Sequence, residues 1–541
     1  MNTRTQVLFL IVLGTFTFLV NNHVFDATLM EARNFVTARE ILQNDSWLLP
    51  TMNGELRLAK PPMPTWCSAW MAQLTGSTDN LGAMRLPAGI AGIGMVLFLF
   101  LYARTRTTDG RLPFIVAAVL ATSALVIQMG RNGSWDIFCH SFMVGALWCL
   151  SSGWQSNGQG YRAFAGAGLL LGLSFMSKGP VAFYAMLLPF LLATLFSGGA
   201  GAVRAHWRGG LLALGICTVL AAWWPIYIYV VHPEAAAATA EAEANAWVER
   251  HVQPPWFYLP FPFFIGLWAV FMLATFVWPF ARKRLEAYAP NNYRFLLIWL
   301  LATFVLLSVI PEKKERYLLP ILVPMALLAG TLLRAVIARF ETGEQQLFDR
   351  WTAGIHGVLT GLLALAAPVA CWVVRDQLTE VPLALLFAGV ALLAVLGGIT
   401  LWSWAKGRLW LLFRMNLVFV MLVVLMVLPL GPDLTYVNPL YRDIKEVRLR
   451  EDVRELKWYS IGTFNLQRVY SVGRVVQPWD YPNDLEPFQH LPVAVFTEYP
   501  PSVYFKGPVL ESITVDSLDV YHYHRKRENR QRYLSIVRHR Q

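Results

Sequence analysis

Apolar runs with few charges recur along most of the chain, separated by short polar loops. They lie near 7–25, 82–103, 113–129, 137–152, 163–177, 180–197, 209–231, 259–280, 294–310, 317–338, 353–374, 382–404 and 410–431. A helix needs about 20 mostly apolar residues to cross a bilayer core of about 30 Å. The pattern therefore predicts about thirteen membrane spans. The break at Ser177-Lys178-Gly179-Pro180 leaves open one broken helix in place of two spans. Residues 1–25 have the order of a signal peptide, with Arg4 ahead of the apolar run Val7–Val20. Asn21-Asn22-His23 follows where small residues would mark a cleavage site, so an uncleaved first span is expected.

Two stretches depart from this pattern. Loop 26–81 is too polar to span. Within it, Leu29, Phe35, Val36, Ile41 and Leu42 alternate with Glu31, Arg33, Arg39 and Glu40, as in an amphipathic helix over 27–43 lying at a membrane surface. Asn53-Gly54 marks a turn, and Pro61-Pro62 stiffens the segment after it. From 432 onward, short β-prone runs (Arg468–Val472, Val493–Phe496, Asp519–His522, Tyr533–Val537) alternate with polar turns. The expected fold class is a polytopic α-helical membrane protein over residues 1–431, carrying a small extracytoplasmic α/β domain over residues 432–541.

Composition supports a membrane protein: 56% of the 541 residues are hydrophobic and 15% charged, against about 25% charged in soluble domains. The net charge of +11 would suit nucleic acid, but its distribution does not. The cations collect in short loops (Arg104/Arg106/Arg111, Arg204/Arg208, Arg282/Lys283/Arg284, Lys406/Arg408) and in the tail His524-Arg525-Lys526-Arg527. Basic loops of this kind stay cytoplasmic. That orientation puts 26–81, 232–258 and 432–541 outside, and predicts a bacterial inner membrane protein with its working face in the periplasm. Trp256 and Tyr258 then read as an interfacial aromatic belt. The five Cys (Cys67, Cys139, Cys149, Cys217, Cys371) show no disulfide or zinc spacing.

One basic loop defies the orientation rule. Pro311-Glu312-Lys313-Lys314-Glu315-Arg316-Tyr317 falls outside, flush against helix ends. Asp26, Glu31, Arg33, Lys60, Arg131, Asp136 and Lys178 fall at the same face, each next to an apolar run. Any one of them alone reads as a snorkelling helix-end charge. Together they predict a site, because ionisable groups beside spans are costly. Converging cations would neutralise a phosphate, and a carboxylate would accept a proton from an acceptor hydroxyl or amine.

Several motifs occur in a telling order: Met30-Glu31-Ala32-Arg33, Ala38-Arg39-Glu40-Ile41-Leu42, Asn44-Asp45-Ser46-Trp47-Leu48-Leu49-Pro50, Asn53-Gly54 and Lys60-Pro61-Pro62. This resembles the first outer loop of the polyprenyl-phosphate-sugar-dependent glycosyltransferases of the GT-C class, such as protein O-mannosyltransferases and lipid A aminoarabinose transferases. Arg131-Asn132-Gly133-Ser134-Trp135-Asp136 is similar to their second outer loop. Ser177-Lys178-Gly179-Pro180 and Lys313-Lys314-Glu315-Arg316-Tyr317-Leu318-Leu319-Pro320 are similar to further family signatures. The resemblance covers roughly residues 1–330 by motif.

It implies transfer of a sugar from an undecaprenyl-type phosphate donor to a periplasmic acceptor (protein Ser/Thr, lipid A or a glycan), by inverting single displacement. The family usually has Asp-Glu where this chain has Met30-Glu31, so the implied base is Glu31, with Asp26 one helical turn before Met30 as the other candidate. Asp136 would orient or assist. Arg33, Lys60, Arg131, Lys178, Lys313, Lys314, Arg316 and Tyr317 would hold the donor phosphate. Many relatives carry an acidic residue before Lys-Pro-Pro, linked to metal binding. Ala59 stands there, which argues against a divalent metal and leaves Glu243 and His251 as candidate ligands. No other cofactor is implied. The competing class is a transporter or flippase of a lipid-linked anion, which would carry charges deep in several spans and internal repeats.

Overall fold

The computed structural model describes residues 2–288, 292–373, 375, 383–431, 438–507, 509–524, 527 and 529–540. Position 374 of the eleventh run, position 382 of the twelfth, the proposed boundary at 432, and Arg525 and Lys526 of the basic tail lie outside the described residues. The chain divides into two compact units. The first comprises Met1–Val24, Leu58–Cys67 and Arg85–Pro429; the second comprises Phe25–Arg57, Ser68–Met84 and Leu430–Gln541.

Among the described residues, the named elements of the first unit are helices, with one isolated β-bridge between Val252 and Glu312. Among the described residues, ten helices are long and apolar enough to cross a membrane, or up to eleven if a bent pair is one span. Each of the thirteen apolar runs contains helix among its described residues, and the difference from thirteen has local causes. The first helix is short, with an apolar stretch of Thr3–Leu19. The third is the bent pair, Leu112–Ala121 and Ala124–Gly130, at 65°. Its break coincides with two hydroxyls that bond back to the helix, Thr122 Oγ1 to Ala118 O at 2.6 Å and Ser123 Oγ to Val119 O at 2.7 Å; such bonds bend helices.

The fifth, Tyr161–Lys178, is diluted by small residues. A Cβ at Gly168 would sit 2.6 Å from Ala213 O, and one at Gly172 would sit 2.5 Å from Leu220 Cβ. These glycines let the helix lie against Trp207–Val231 at close range, the means by which helices associate in a solvent as apolar as themselves. At another edge, Asp349 is fully buried, with Arg284 donating to both its oxygens at 2.7 and 2.8 Å and Arg339 donating at 3.2 Å. This fixes Trp278–Leu285 to the ends of Leu322–Thr342 and Leu347–Val373.

The second unit holds a hairpin, β1 (Thr51–Met52) and β2 (Glu55–Leu56), and a five-stranded sheet. The sheet strands are β3 (Lys457–Ile461), β4 (Gln477–Pro478), β5 (Val493–Thr497), β6 (Ile513–Tyr521) and β7 (Arg532–His539), in the order β4-β3-β5-β7-β6. β3 runs parallel to β4 and β5, while β7 is antiparallel to β5 and β6. The run Arg468–Val472, expected as β, lies in a helix, Leu466–Val472. The Asn465 side chain accepts from Arg468 N and starts that helix, outweighing the β-branched valines.

The helix expected over 27–43 spans Leu29–Asn44, started by a capping box between Thr28 and Glu31. It is buried nearly all round from Glu31 to Ile41 and so has no solvent face. Glu40 explains why the Asn53-Gly54 turn belongs to this helix. Its carboxylate accepts from Thr51 Oγ1 at 2.7 Å, Asn53 N at 2.7 Å and Gly54 N at 3.1 Å. Asn53 then exchanges two side-chain bonds, 2.8 and 2.9 Å, with the backbone of Val476.

Candidate active site

The charged groups of the spanning unit gather around Tyr317. Its ring has Lys178 at 4.8 Å, Arg316 at 5.3 Å and Lys314 at 5.9 Å from the centroid. Lys178 closes the helix Tyr161–Lys178 and forms an ion pair with Asp136, which opens Asp136–Trp154. Both side chains are buried, 8% and 1% exposed. Arg316 is a second cationic neighbour of Asp136. Asp136 Oδ2 is buried without a hydrogen-bond partner among the described residues.

Glu312 is the second anionic centre. It receives Arg250 Nε at 3.0 Å, Lys314 Nζ at 3.2 Å and the Tyr317 hydroxyl at 3.3 Å. Burial pushes its carboxyl up, but the Arg250 bond and charge and then Lys314 outweigh this and hold it below the usual carboxylate range. The third centre is Glu243, which accepts from Lys60 Nζ at 2.5 Å. Burial depresses the Lys60 ammonium, Glu243 partly restores it, and Lys178 and Arg250 push it down again. Five cations (Lys60, Lys178, Arg250, Lys314, Arg316) thus face three carboxylates (Asp136, Glu243, Glu312), an excess suited to an anionic ligand.

The backbone explains why the loop stays put. Gln253 N donates to Pro311 O at 3.1 Å, and Lys313 N to His251 O at 3.2 Å. The Tyr258 hydroxyl bonds both the N–H and the C=O of Lys314 at 3.1 Å. Tyr258 is therefore a buried clamp rather than a member of an interfacial belt, while Trp256 is 66% exposed.

Not every predicted cation joins. Lys313 donates to Ile310 O at 2.6 Å and Gln253 O at 3.1 Å, capping the carbonyl end of Asn292–Val309, and burial lowers its pKa. Arg131 donates to Thr17 O at 3.1 Å, near the carbonyl end of the first helix. Burial, then the charge of Arg85, brings it down to about 10. Arg85 serves the same segment through Asn22 O at 2.6 Å. Glu243 is engaged by Lys60 and His251 is exposed; among the described residues no group of three metal-ligating side chains gathers.

In the other unit, Glu31 is buried, with Oε2 accepting from Thr28 N at 2.9 Å, and Arg33 is half-buried on the same helix. Asp26 is exposed and pairs with Lys445 at 3.1 Å. Arg250 and Glu312 escaped the sequence reading. Glu312 stood in the basic loop's own motif, but nothing local to Arg250, 62 residues away, reveals their pairing.

A family described as "Dolichyl-phosphate-mannose-protein mannosyltransferase" matches residues 59–224. The fold is that of the GT-C glycosyltransferases. It aligns with ArnT from Cupriavidus metallidurans, solved bound to undecaprenyl phosphate, at TM-score 0.72 and 17% identity over 99% of this chain and 98% of that one. The archaeal oligosaccharyltransferase AglB from Archaeoglobus fulgidus aligns at TM-score 0.51 and 11% identity, over 91% and 69% of the two chains.

Individual relatives narrow the likeness. The chain is 28% identical to undecaprenyl phosphate-alpha-4-amino-4-deoxy-L-arabinose arabinosyl transferase 2 of Pseudomonas fluorescens, across 63% of this chain and 56% of that protein. It is 24% identical to the corresponding transferase of Shewanella sediminis, across 58% and 56%. The chain therefore spans somewhat more than half the length of these relatives.

Proposed function

We propose that this protein is a multi-pass inner-membrane glycosyltransferase that moves a sugar from an undecaprenyl-phosphate donor to an acceptor on the periplasmic side. The observation that carries the reading is the excess of cations around Tyr317 and Asp136 at the ends of apolar spans, where a lipid-borne phosphate can reach them. The likeness to transferases that use undecaprenyl-phosphate aminoarabinose supports the donor class. Thirteen spans, with Thr3–Leu19, the bent pair and Tyr161–Lys178 each crossing once, fit an inner N-terminus and an outer C-terminal α/β domain.

In the reaction, an acceptor oxygen or nitrogen attacks the anomeric carbon while the bond from that carbon to the phosphate oxygen breaks. The phosphate leaves with the electron pair, and the acceptor's proton passes to a carboxylate. Lys60, Lys178, Arg250, Lys314 and Arg316 stabilise the charge growing on the leaving phosphate. Asp136 holds Lys178 and Arg316 in place. Glu31 takes the proton, and Asp26, committed to Lys445 at the surface, does not. Arg33 remains assigned to the donor; Arg131 and Lys313 act as helix caps instead.

The test is transfer in membranes of a deletion strain supplied with radiolabelled polyprenyl-phosphate sugars, separated into protein, lipid A and glycan fractions. Label in one fraction, dependent on the wild-type protein and lost with Glu31→Gln, supports the reading and names the acceptor. Donor crossing sealed vesicles without transfer would establish a transporter instead.

A further inference from the structure

A second cationic place in the spanning unit has no part in this scheme. Arg414 lies in Leu409–Leu422, inside the candidate span Leu409–Leu430 and more than a turn beyond its start, and it is exposed. A charge at that depth is costly unless something pairs with it. Its guanidinium rests on Trp410, 5.3 Å from the ring centre, and among the described residues it has no carboxylate partner. Arg111 packs on the same indole at 5.4 Å and also donates to both oxygens of Glu341, at 2.9 and 3.2 Å.

The two guanidiniums line one small cavity of about 80 Å³, with Gln6, Phe114 and Trp410 completing its wall. Liquid water occupies roughly 30 Å³ per molecule, so the cavity has room for one phosphate-sized group. Two cations share one carboxylate there, which leaves the cavity net positive.

We propose that this cavity binds the phosphodiester of an anionic phospholipid, with Arg111 and Arg414 donating to its non-bridging oxygens. The placement of Arg414 within a span favours a lipid-borne phosphate over a free one, since a lipid carries its phosphate to the edge of the hydrocarbon. Basic pockets between spans at the cytoplasmic end bind such headgroups. The planar guanidinium stacks on the indole and offers two parallel donors, which an ammonium cannot do. Assignment to the inner leaflet rests on the orientation proposed above; the binding itself does not.

The experiment uses the full chain in phosphatidylcholine nanodiscs with and without phosphatidylglycerol, read by lipid retention in native mass spectrometry and by thermal unfolding. Wild type should retain phosphatidylglycerol and gain thermal stability from it. Arg414→Gln should weaken retention about tenfold or more, and Arg414→Lys should not restore it. Arg408→Gln, a neighbouring cation stacked on Trp402 instead, should keep it. Equal retention by Arg414→Gln, or retention indifferent to headgroup charge, would overturn the site and leave a snorkelling arginine. Stabilisation by inorganic phosphate in phosphatidylcholine discs would overturn the lipid assignment. None of these readouts involves sugar transfer, so failure of the transferase reading would leave them standing.

Discussion

Replacing Lys60 tests the phosphate role most directly, because its present partner makes the direction of the effect computable. Lys60 and Glu243 are 21% and 27% exposed and 2.5 Å apart. In a mostly buried pair, desolvation offsets much of the attraction, which leaves a net worth of about 1 kcal/mol or less. A charge-assisted bond to a donor phosphate is worth about 1.5–3 kcal/mol. Exchange of Glu243 for phosphate is therefore favourable by about 0.5–3 kcal/mol, and Lys60→Ala should lower kcat/KM for the donor by more than about twofold and up to about 150-fold. The alanine variant also leaves Glu243 facing the incoming phosphate. Lys60→Ala with Glu243→Gln should then recover up to about fivefold of the loss, and Glu243→Gln alone should raise kcat/KM by no more than that. The assay is transfer kinetics with purified protein in nanodiscs, with thermal unfolding alongside to separate misfolding. Lys60→Ala within twofold of wild type would refute the phosphate role. Glu243→Gln as damaging as Lys60→Ala would show that the pair works as a structural unit.

Further outcomes follow from other contacts. Burial holds the Lys60 pKa below the ordinary lysine value; charge is lost early as pH rises, so the alkaline limb of kcat/KM, which reports the free enzyme, should begin lower in wild type than in Lys60→Arg, whose guanidinium stays charged. Asp349→Ala strands the buried Arg284 and should destabilise the spanning unit by about 3–5 kcal/mol, seen as a lowered unfolding temperature, with a much smaller change in donor KM. Glu40→Gln presents an amide where Thr51 Oγ1, Asn53 N and Gly54 N now donate; a cost of about 1–3 kcal/mol should appear as faster proteolysis near 45–57, and unchanged cleavage would rule out the tether. Lys313→Met should lower the unfolding temperature more than it lowers kcat/KM, because its bonds go to backbone carbonyls.

Long apolar stretches located helical segments in the spanning unit because lipid exposure imposes such stretches whatever their partners, while the helix Pro233–Glu249, which is not one of them, went unread. Apolarity alone could not rank the stretches: Tyr161–Lys178 looks weak as a span because its glycines serve a neighbour 40 or more residues away, as Gly168 meets Ala213. The helix at Leu466–Val472 was hidden by its valines, since a cap at Asn465 decides its conformation and a propensity count does not register it. Charge collecting at one face beside apolar runs named Lys178, Lys314, Arg316 and Asp136, which the structure brings together around Tyr317. The same signal also named Arg131 and Lys313, whose hydrogen bonds go to backbone carbonyls, a difference that charge position along the chain does not register. The motif at Asn53-Gly54 marks scaffolding: its bonds run to Glu40 and Val476, not to the cationic cluster.

The Asn53 clamp on Val476 spans 423 residues of chain. At about 5–20 residues per second of synthesis, the first loop waits roughly 20–85 s before the strand segment it grips has even been made. During that interval the Leu29–Asn44 segment has its apolar side chains but not their eventual cover. The second unit, being discontinuous in sequence, forms only after the last span has left the ribosome. Early truncation of the chain therefore removes more than a C-terminal appendage, because it leaves the first loop permanently open to proteases and chaperones.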